Sequence, residues 1–142
     1  MTAATGPLYT PAMLALAVEL ARHPFDAAAP LVGEARAATC GSTLRLSADA
    51  AFANIGLFVQ ACAVGQAAAA IFARHAAAAG PGRIRSADDA VAAWLAGGPL
   101  PDWPDIELIA PAVAYPGRHG AILLPWRAAR SATRSADIAQ AI

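Results

Sequence analysis

At 142 residues, 58% of them apolar and 14% charged, the chain can bury a sizeable core and reads as one domain over its whole length. Its ten basic and ten acidic side chains cancel, and the arginines are scattered, which excludes the basic stripe that a nucleic-acid partner requires. The two cysteines, Cys40 and Cys62, and the lack of a basic–apolar–small-residue leader point to reduced thiols in a cytoplasmic setting.

Residues 1–7 read as a loose leader. Thr10 and Pro11 then form a helix start, an N-cap oxygen followed by proline at the first helical position. Leu14, Ala17, Val18 and Ala21 are expected to supply the buried face, with Glu19 and Arg22 outside it, and His23-Pro24 ends the helix. Three alternating runs follow. Residues 31–37 set Val32 against Glu34 and Arg36; residues 43–47 turn Leu44 and Leu46 inward and Arg45 outward; residues 54–61 carry Ile55, Leu57, Val59 and Ala61. Short connections between consecutive strands predict an antiparallel meander.

Residues 50–73 carry no charge, which raises the question of a membrane span. Asn54, Gln60, Gln66, Gly56 and Gly65 interrupt the run, and its first half has the period of a strand, so no membrane association is expected.

After Cys62 the chain turns helical. A helix is predicted over residues 67–78, broken at Gly80-Pro81-Gly82. Ser86, Asp88 and Asp89 read as the capped, acidic start of another, with Val91, Trp94 and Leu95 buried and Gly97-Gly98-Pro99 stopping it. Residues 106–113 read as a short helix and residues 121–129 as a further one that Pro125 delays or kinks. Residues 130–142 are polar, then weakly amphipathic, and read as loose or as a last short helix. The order of helix, three strands and helices is that of an α+β domain, with the C-terminal helices packed on one face of the sheet.

The thiols carry the functional reading. Cys62 stands at a strand-to-helix junction, near the positive end of a helix dipole that favours thiolate. Cys40 precedes Gly41, which lets a backbone approach a ligand. The spacing leaves open whether the pair is free, joined in a disulfide or buried as small hydrophobes. His119 is a loop histidine and a further candidate donor. His23, His75 and the three tryptophans read as structural, and Asp88-Asp89 as a helix-start charge pair. No Ser–His–Asp signature, phosphate loop or paired-carboxylate motif is present, so no catalytic residue is assigned.

Taken together, Leu8-Tyr9 ahead of a helix ending at His23-Pro24, Cys40-Gly41 before a strand, Cys62 at its junction, and residues 115–126 (Tyr-Pro-Gly-Arg-His-Gly-Ala-Ile-Leu-Leu-Pro-Trp) resemble the U-type iron–sulfur cluster assembly scaffolds. That family includes the N-terminal domain of the nitrogen-fixation U protein and a zinc-dependent branch. The resemblance implies a scaffold that takes sulfur from a cysteine desulfurase, holds a nascent [2Fe–2S] cluster or Zn(II) on thiolates, and passes the cluster to apoprotein acceptors. It puts Cys40 and Cys62 at two of the four ligand positions. Ser42 stands where the family has aspartate and Ala121 where it has the third cysteine, and His119 lies two residues before that position. A homodimer sharing four cysteines would complete such a site. Two alternatives follow from the departures. One is a scaffold relative without a metal that serves as a binding or regulatory module; the other is a sulfur-transfer protein with Cys62 as persulfide acceptor.

Overall fold

The computed structural model describes residues 8–141, apart from the side chains of residues 136 and 138–141. The predicted leader, residues 1–7, lies outside the described residues.

Helix α1 (Pro11–Glu19) starts as expected, with the Thr10 hydroxyl accepting from the Met13 amide at 3.1 Å and Pro11 in the first turn, and it runs into a 3-10 turn (Leu20–Arg22). Its buried face is not the predicted one. Met13 and Leu16 are buried, whereas Leu14 is 50% and Val18 76% exposed. From Pro11 to Val18 the helix is apolar all round, so its periodicity does not select a face.

The sheet is the predicted antiparallel meander, β1 (Leu31–Arg36), β2 (Thr43–Ala48) and β3 (Gly56–Gln60), in the order β1-β2-β3. Arg36 pairs with Thr43 at the first turn, where Gly41 takes a left-handed φ of 70°. Thr43 pairs with Gln60, and Arg45 faces both Glu34 and Phe58 across the strands. Leu44, Leu46, Ala48 and Leu57 point into the core. Gly33 on β1 is where α3 comes closest. A Cβ there would lie 2.2 Å from the Ala128 carbonyl oxygen and 2.5 Å from the Ala132 nitrogen, so only glycine admits the helix at this depth.

Helix α2 (Ala63–Leu95) begins four residues earlier than predicted and crosses the predicted break. Gly80 alone leaves helical geometry (φ 76°, ψ 168°), and Pro81 opens the next turn, a position proline tolerates. Ser86 is therefore not a cap. It lies inside the helix, its hydroxyl donating to the Gly82 carbonyl at 3.0 Å. Nor is Asp88 a helix-start charge: it is 4% exposed and pairs with Arg130 of α3 at 3.3 Å and Arg127 at 3.6 Å.

Residues 106–113 were expected to be helical and form a 3-10 run (Ile106–Ala114), followed by a 3-10 turn (Pro116–Arg118). Helix α3 (His119–Ala141) starts two residues before the predicted helix, holds Pro125 in its interior and continues without a break through the segment expected to be loose or a separate short helix. It lies on β1 and β2 and packs against α2, while α1 packs on α2, so the helices cover one face of the sheet. At the centre, Trp103 stacks on Phe72 at 5.7 Å, and Trp126 meets both rings edge-on at 5.4–5.6 Å. The Trp103 indole donates to the Ile71 carbonyl at 3.1 Å. Among the described residues no helix is long and apolar enough to cross a membrane.

Candidate functional site at the cysteine end of the sheet

Three segments carry the candidate donors, and the packing brings them to one end of the molecule. The first is the β1–β2 turn with Cys40, the second the start of α2 with Cys62, the third the start of α3 with His119. A Cβ on Gly120 would lie 3.0 Å from Ala37 Cβ and 3.6 Å from Thr39 Oγ1, so α3 starts against the β1–β2 turn. A Cβ on Gly65 would lie 3.1 Å from Ala121 Cβ, so α2 starts against α3. Small residues at these contacts allow the three backbones to meet.

Cys62 is the N-cap residue of α2, which bears out its place at the strand-to-helix junction. Its backbone is extended (φ −65°, ψ 171°), and its carbonyl accepts from the Gln66 amide at 3.0 Å. The side chain makes no capping bond; it is half-buried against the core and its thiol is free. Cys40 is also free, and exposed. Its sulfur lies 3.1 Å from the Ser42 hydroxyl, which accepts from the thiol and, once the proton has left, turns to donate to the thiolate. Hydrogen bonds from the Ser42 side chain and backbone hold this thiol below its ordinary range, and the Arg118 charge adds to the effect. Sequence reasoning treated Ser42 only as a missing carboxylate and did not single out Arg118. The tight turn at Gly41, which folds residue 42 back onto residue 40, was the available signal.

His119 is at the site but partly committed. Its Nε2 lies 2.8 Å from the Val113 carbonyl oxygen. A carbonyl only accepts, so Nε2 donates here, and in the neutral ring Nδ1 is the nitrogen with the lone pair. Ala121 is fully buried and Ser42 is 9% exposed. Cys40 and Cys62 are thus the free thiols at this end, with Ser42 and Ala121 offering no thiol or carboxylate beside them. Among the described residues no three His, Cys, Asp or Glu side chains cluster closely enough to hold a metal ion.

The other predicted structural residues lie elsewhere. His75 Nε2 meets Asp105 Oδ2 at 2.7 Å, and Arg74 bridges Asp105 and Glu19, tying α1 and α2 to the segment before the long 3-10 run. The hydrogen bond from His75 holds the Asp105 carboxyl below the usual range, and that from Arg74 does the same for Glu19. The backbone carbonyl of His23 accepts from Leu57. A concavity of about 590 Å³ lies at the other end of the sheet, between residues 22–30 and the β2–β3 turn. Its carboxylates are already engaged. Asp49 accepts from the Ala53 amide and the Asn54 side chain, and Asp26 from the Ala28 amide.

No family model matches the sequence, and no curated protein matches it significantly. Solved structures do match. A NifU-like protein (N-terminal) from Brucella abortus is 28% identical and superposes with a TM-score of 0.81 over 92% of this chain and 95% of that one. A protein described as a candidate iron–sulfur cluster assembly scaffold of the SUF system, from Fervidobacterium islandicum AW-1, is 18% identical. It gives a TM-score of 0.78 over 88% of this chain and 96% of its own length. A hypothetical protein, 16% identical, gives 0.69 over 86% and 96%. In its helix–meander–helix order and its near-complete overlap with these structures, the chain has the fold of the U-type iron–sulfur scaffold proteins.

Proposed function

We propose that the chain acts in iron–sulfur cluster assembly as a scaffold-type protein. Cys40 and Cys62 take up a nascent cluster, iron or zinc as cargo; because no three donors among the described residues stand close enough to hold a metal as the chain is folded here, Nδ1 of His119 would join them only on closure of the β1–β2 turn toward the start of α3. The observation that carries this reading is the convergence of the β1–β2 turn and the starts of α2 and α3 at one end of a U-type fold. Thiolates are soft ligands suited to iron–sulfur clusters and to zinc. The Val113 carbonyl would orient the imidazole as outer hydrogen-bond partners orient metal-bound histidines. A cysteine desulfurase as sulfur source and apoproteins as acceptors belong to the same proposal. So does a homodimer or an added thiol that completes the ligand set, since Ser42 and Ala121 offer no thiolate or carboxylate.

Full burial of Ala121 favours a second reading, sulfur transfer, which needs one thiolate and no complete ligand set. The Cys62 thiolate attacks the outer sulfur of a donor persulfide. A new S–S bond forms on Cys62, the donor's S–S bond breaks, and the donor's inner sulfur leaves as thiolate.

The deciding experiment is the iron, zinc and acid-labile sulfide content of protein purified without oxygen, wild type beside Cys62→Ala and Cys40→Ala. Near-stoichiometric metal that is lost in the variants supports the scaffold reading. Protein that stays empty after anaerobic reconstitution, yet takes up sulfane sulfur in the presence of a persulfide donor, overturns it in favour of sulfur transfer.

A further inference from the structure

The face of the sheet turned away from the helices carries a shallow concavity of about 400 Å³, lined chiefly by Glu34, Arg36, Thr43, Arg45, Phe58 and Gln60. Arg74, Arg83, Arg127 and Arg130 all meet carboxylates. Among the described residues Arg36 and Arg45 meet none, although Glu34 is the register partner of Arg45. The Arg45 guanidinium lies instead over the Phe25 ring, 4.5 Å from its centroid. That contact fixes the cation without neutralising it.

Arg36 pairs with Thr43, so Arg45 is its diagonal neighbour on the same face, with Cβ atoms about 7 Å apart. Against the single carboxylate of Glu34, the two arginines leave this face with a net positive charge, which favours an anionic partner. Directly across from Arg45 lies Phe58, 50% exposed. A half-exposed phenylalanine beside two arginines has the composition of an interface centre. The face is open and shallow, which suits an extended chain rather than an enclosed small molecule.

We propose that this face is a docking surface for an extended acidic segment of a partner protein, whose carboxylates pair with Arg36 and Arg45 while an apolar side chain covers Phe58. The Arg36–Thr43 pair is the last before the β1–β2 turn, so a segment seated here runs alongside Cys40.

The test is amide chemical-shift mapping on the isotope-labelled full chain. The probes are a ten-residue peptide with two glutamates flanking a phenylalanine, the same peptide with lysines for glutamates, and inorganic sulfate. With the acidic peptide, shifts concentrated at Arg36, Thr43, Arg45, Phe58 and Gln60 are expected. Binding should weaken about tenfold in the double variant Arg36→Glu, Arg45→Glu and decline as ionic strength rises. Phe58→Ala should weaken it several-fold while keeping the preference for acid. The proposal is overturned if these amides stay still at millimolar peptide, or if the lysine peptide binds as well. Sulfate reproducing the shifts at equal affinity would instead make this a small-anion site. Shifts that track protein concentration without peptide would make the occupant a second copy of the chain. Metal content plays no part in this measurement, so its outcome is separable from that of the scaffold reading.

Discussion

Replacing Gly33 by alanine tests the central packing of the fold. An added Cβ would meet three atoms of α3: the Ala128 carbonyl oxygen at 2.2 Å, the Ala132 nitrogen at 2.5 Å and Ala132 Cβ at 2.8 Å. Two of these are backbone, so no rotamer change relieves the contact, and the helix must retreat by about 1 Å to reach ordinary van der Waals separation. Against this stands a gain of about 0.5–1 kcal/mol from the lower entropy of an unfolded chain with alanine in place of glycine. Overpacking of a core costs about 1–3 kcal/mol, more when the obstruction is rigid. The retreat also loosens Ala128, Ala129 and Ala132, all at most 1% exposed. With the rigid obstruction placing the cost at the upper end of that range, a net loss of about 2 kcal/mol is expected, lowering the urea midpoint by about 1 M at a slope of about 2 kcal/mol per molar. Urea unfolding of wild type, Gly33→Ala and Gly120→Ala provides the scale, since a Cβ on Gly120 meets mainly the Ala37 methyl at 3.0 Å and should cost little. A Gly33→Ala protein within about 0.5 kcal/mol of wild type would refute the proposed seat of α3 on β1.

The joint in α2 yields a second contrast: Gly80→Ala should lose about 1–3 kcal/mol because φ 76°, ψ 168° is a conformation only glycine adopts readily. Gly82→Ala, in open space two residues on, should gain about 0.5–1 kcal/mol in the same thermal-melt series. Asp105→Asn should cost about 1 kcal/mol or less at pH 7, because the ion pairs it removes are one-third exposed. The Asp105 carboxyl is held low in the folded state, so its contribution is present above the ordinary carboxylate range and fades as pH falls. The stability gap between wild type and Asp105→Asn should therefore close between about pH 5 and pH 2, and a gap independent of pH would count against the charge interaction. Iodoacetamide at pH 7.5 should label exposed Cys40 several-fold faster than half-buried Cys62, read by peptide mass mapping. Ser42→Ala removes the bond that holds the Cys40 thiol low, so it should slow that labelling at neutral pH and leave the rate above pH 10 unchanged.

Legibility in the sequence followed the strength of each local signal. The meander was readable because Leu44, Arg45 and Leu46 alternate cleanly and one face of the sheet is polar. The buried face of α1 was not, since an all-apolar helix can bury any side, and tertiary packing chose Met13 and Leu16 over Leu14 and Val18. Gly80-Pro81-Gly82 looks like a loop, yet a glycine that leaves helical geometry for one residue and a proline that opens the next turn join two helices with no loop at all. Ser86 and Asp88 imitate a helix start because cap and interior share the same residue types; only the arginines of α3, forty residues away, reveal Asp88 as a buried partner. At the candidate site, the places of Cys40 and Cys62 were readable from strand and helix boundaries. The bond from Cys40 to Ser42 and the tie of His119 to Val113 were not, because both depend on how turns fold back.

At the start of α2, the helix is begun by the backbone of Cys62 while its sulfur holds nothing there. Thiol chemistry and helix integrity are therefore separable at this position. Replacement by alanine changes what the residue can react with and removes no capping bond. Loss of function in a Cys62→Ala variant that keeps the wild-type melting temperature can accordingly be read as chemistry, since the side chain also packs against the core.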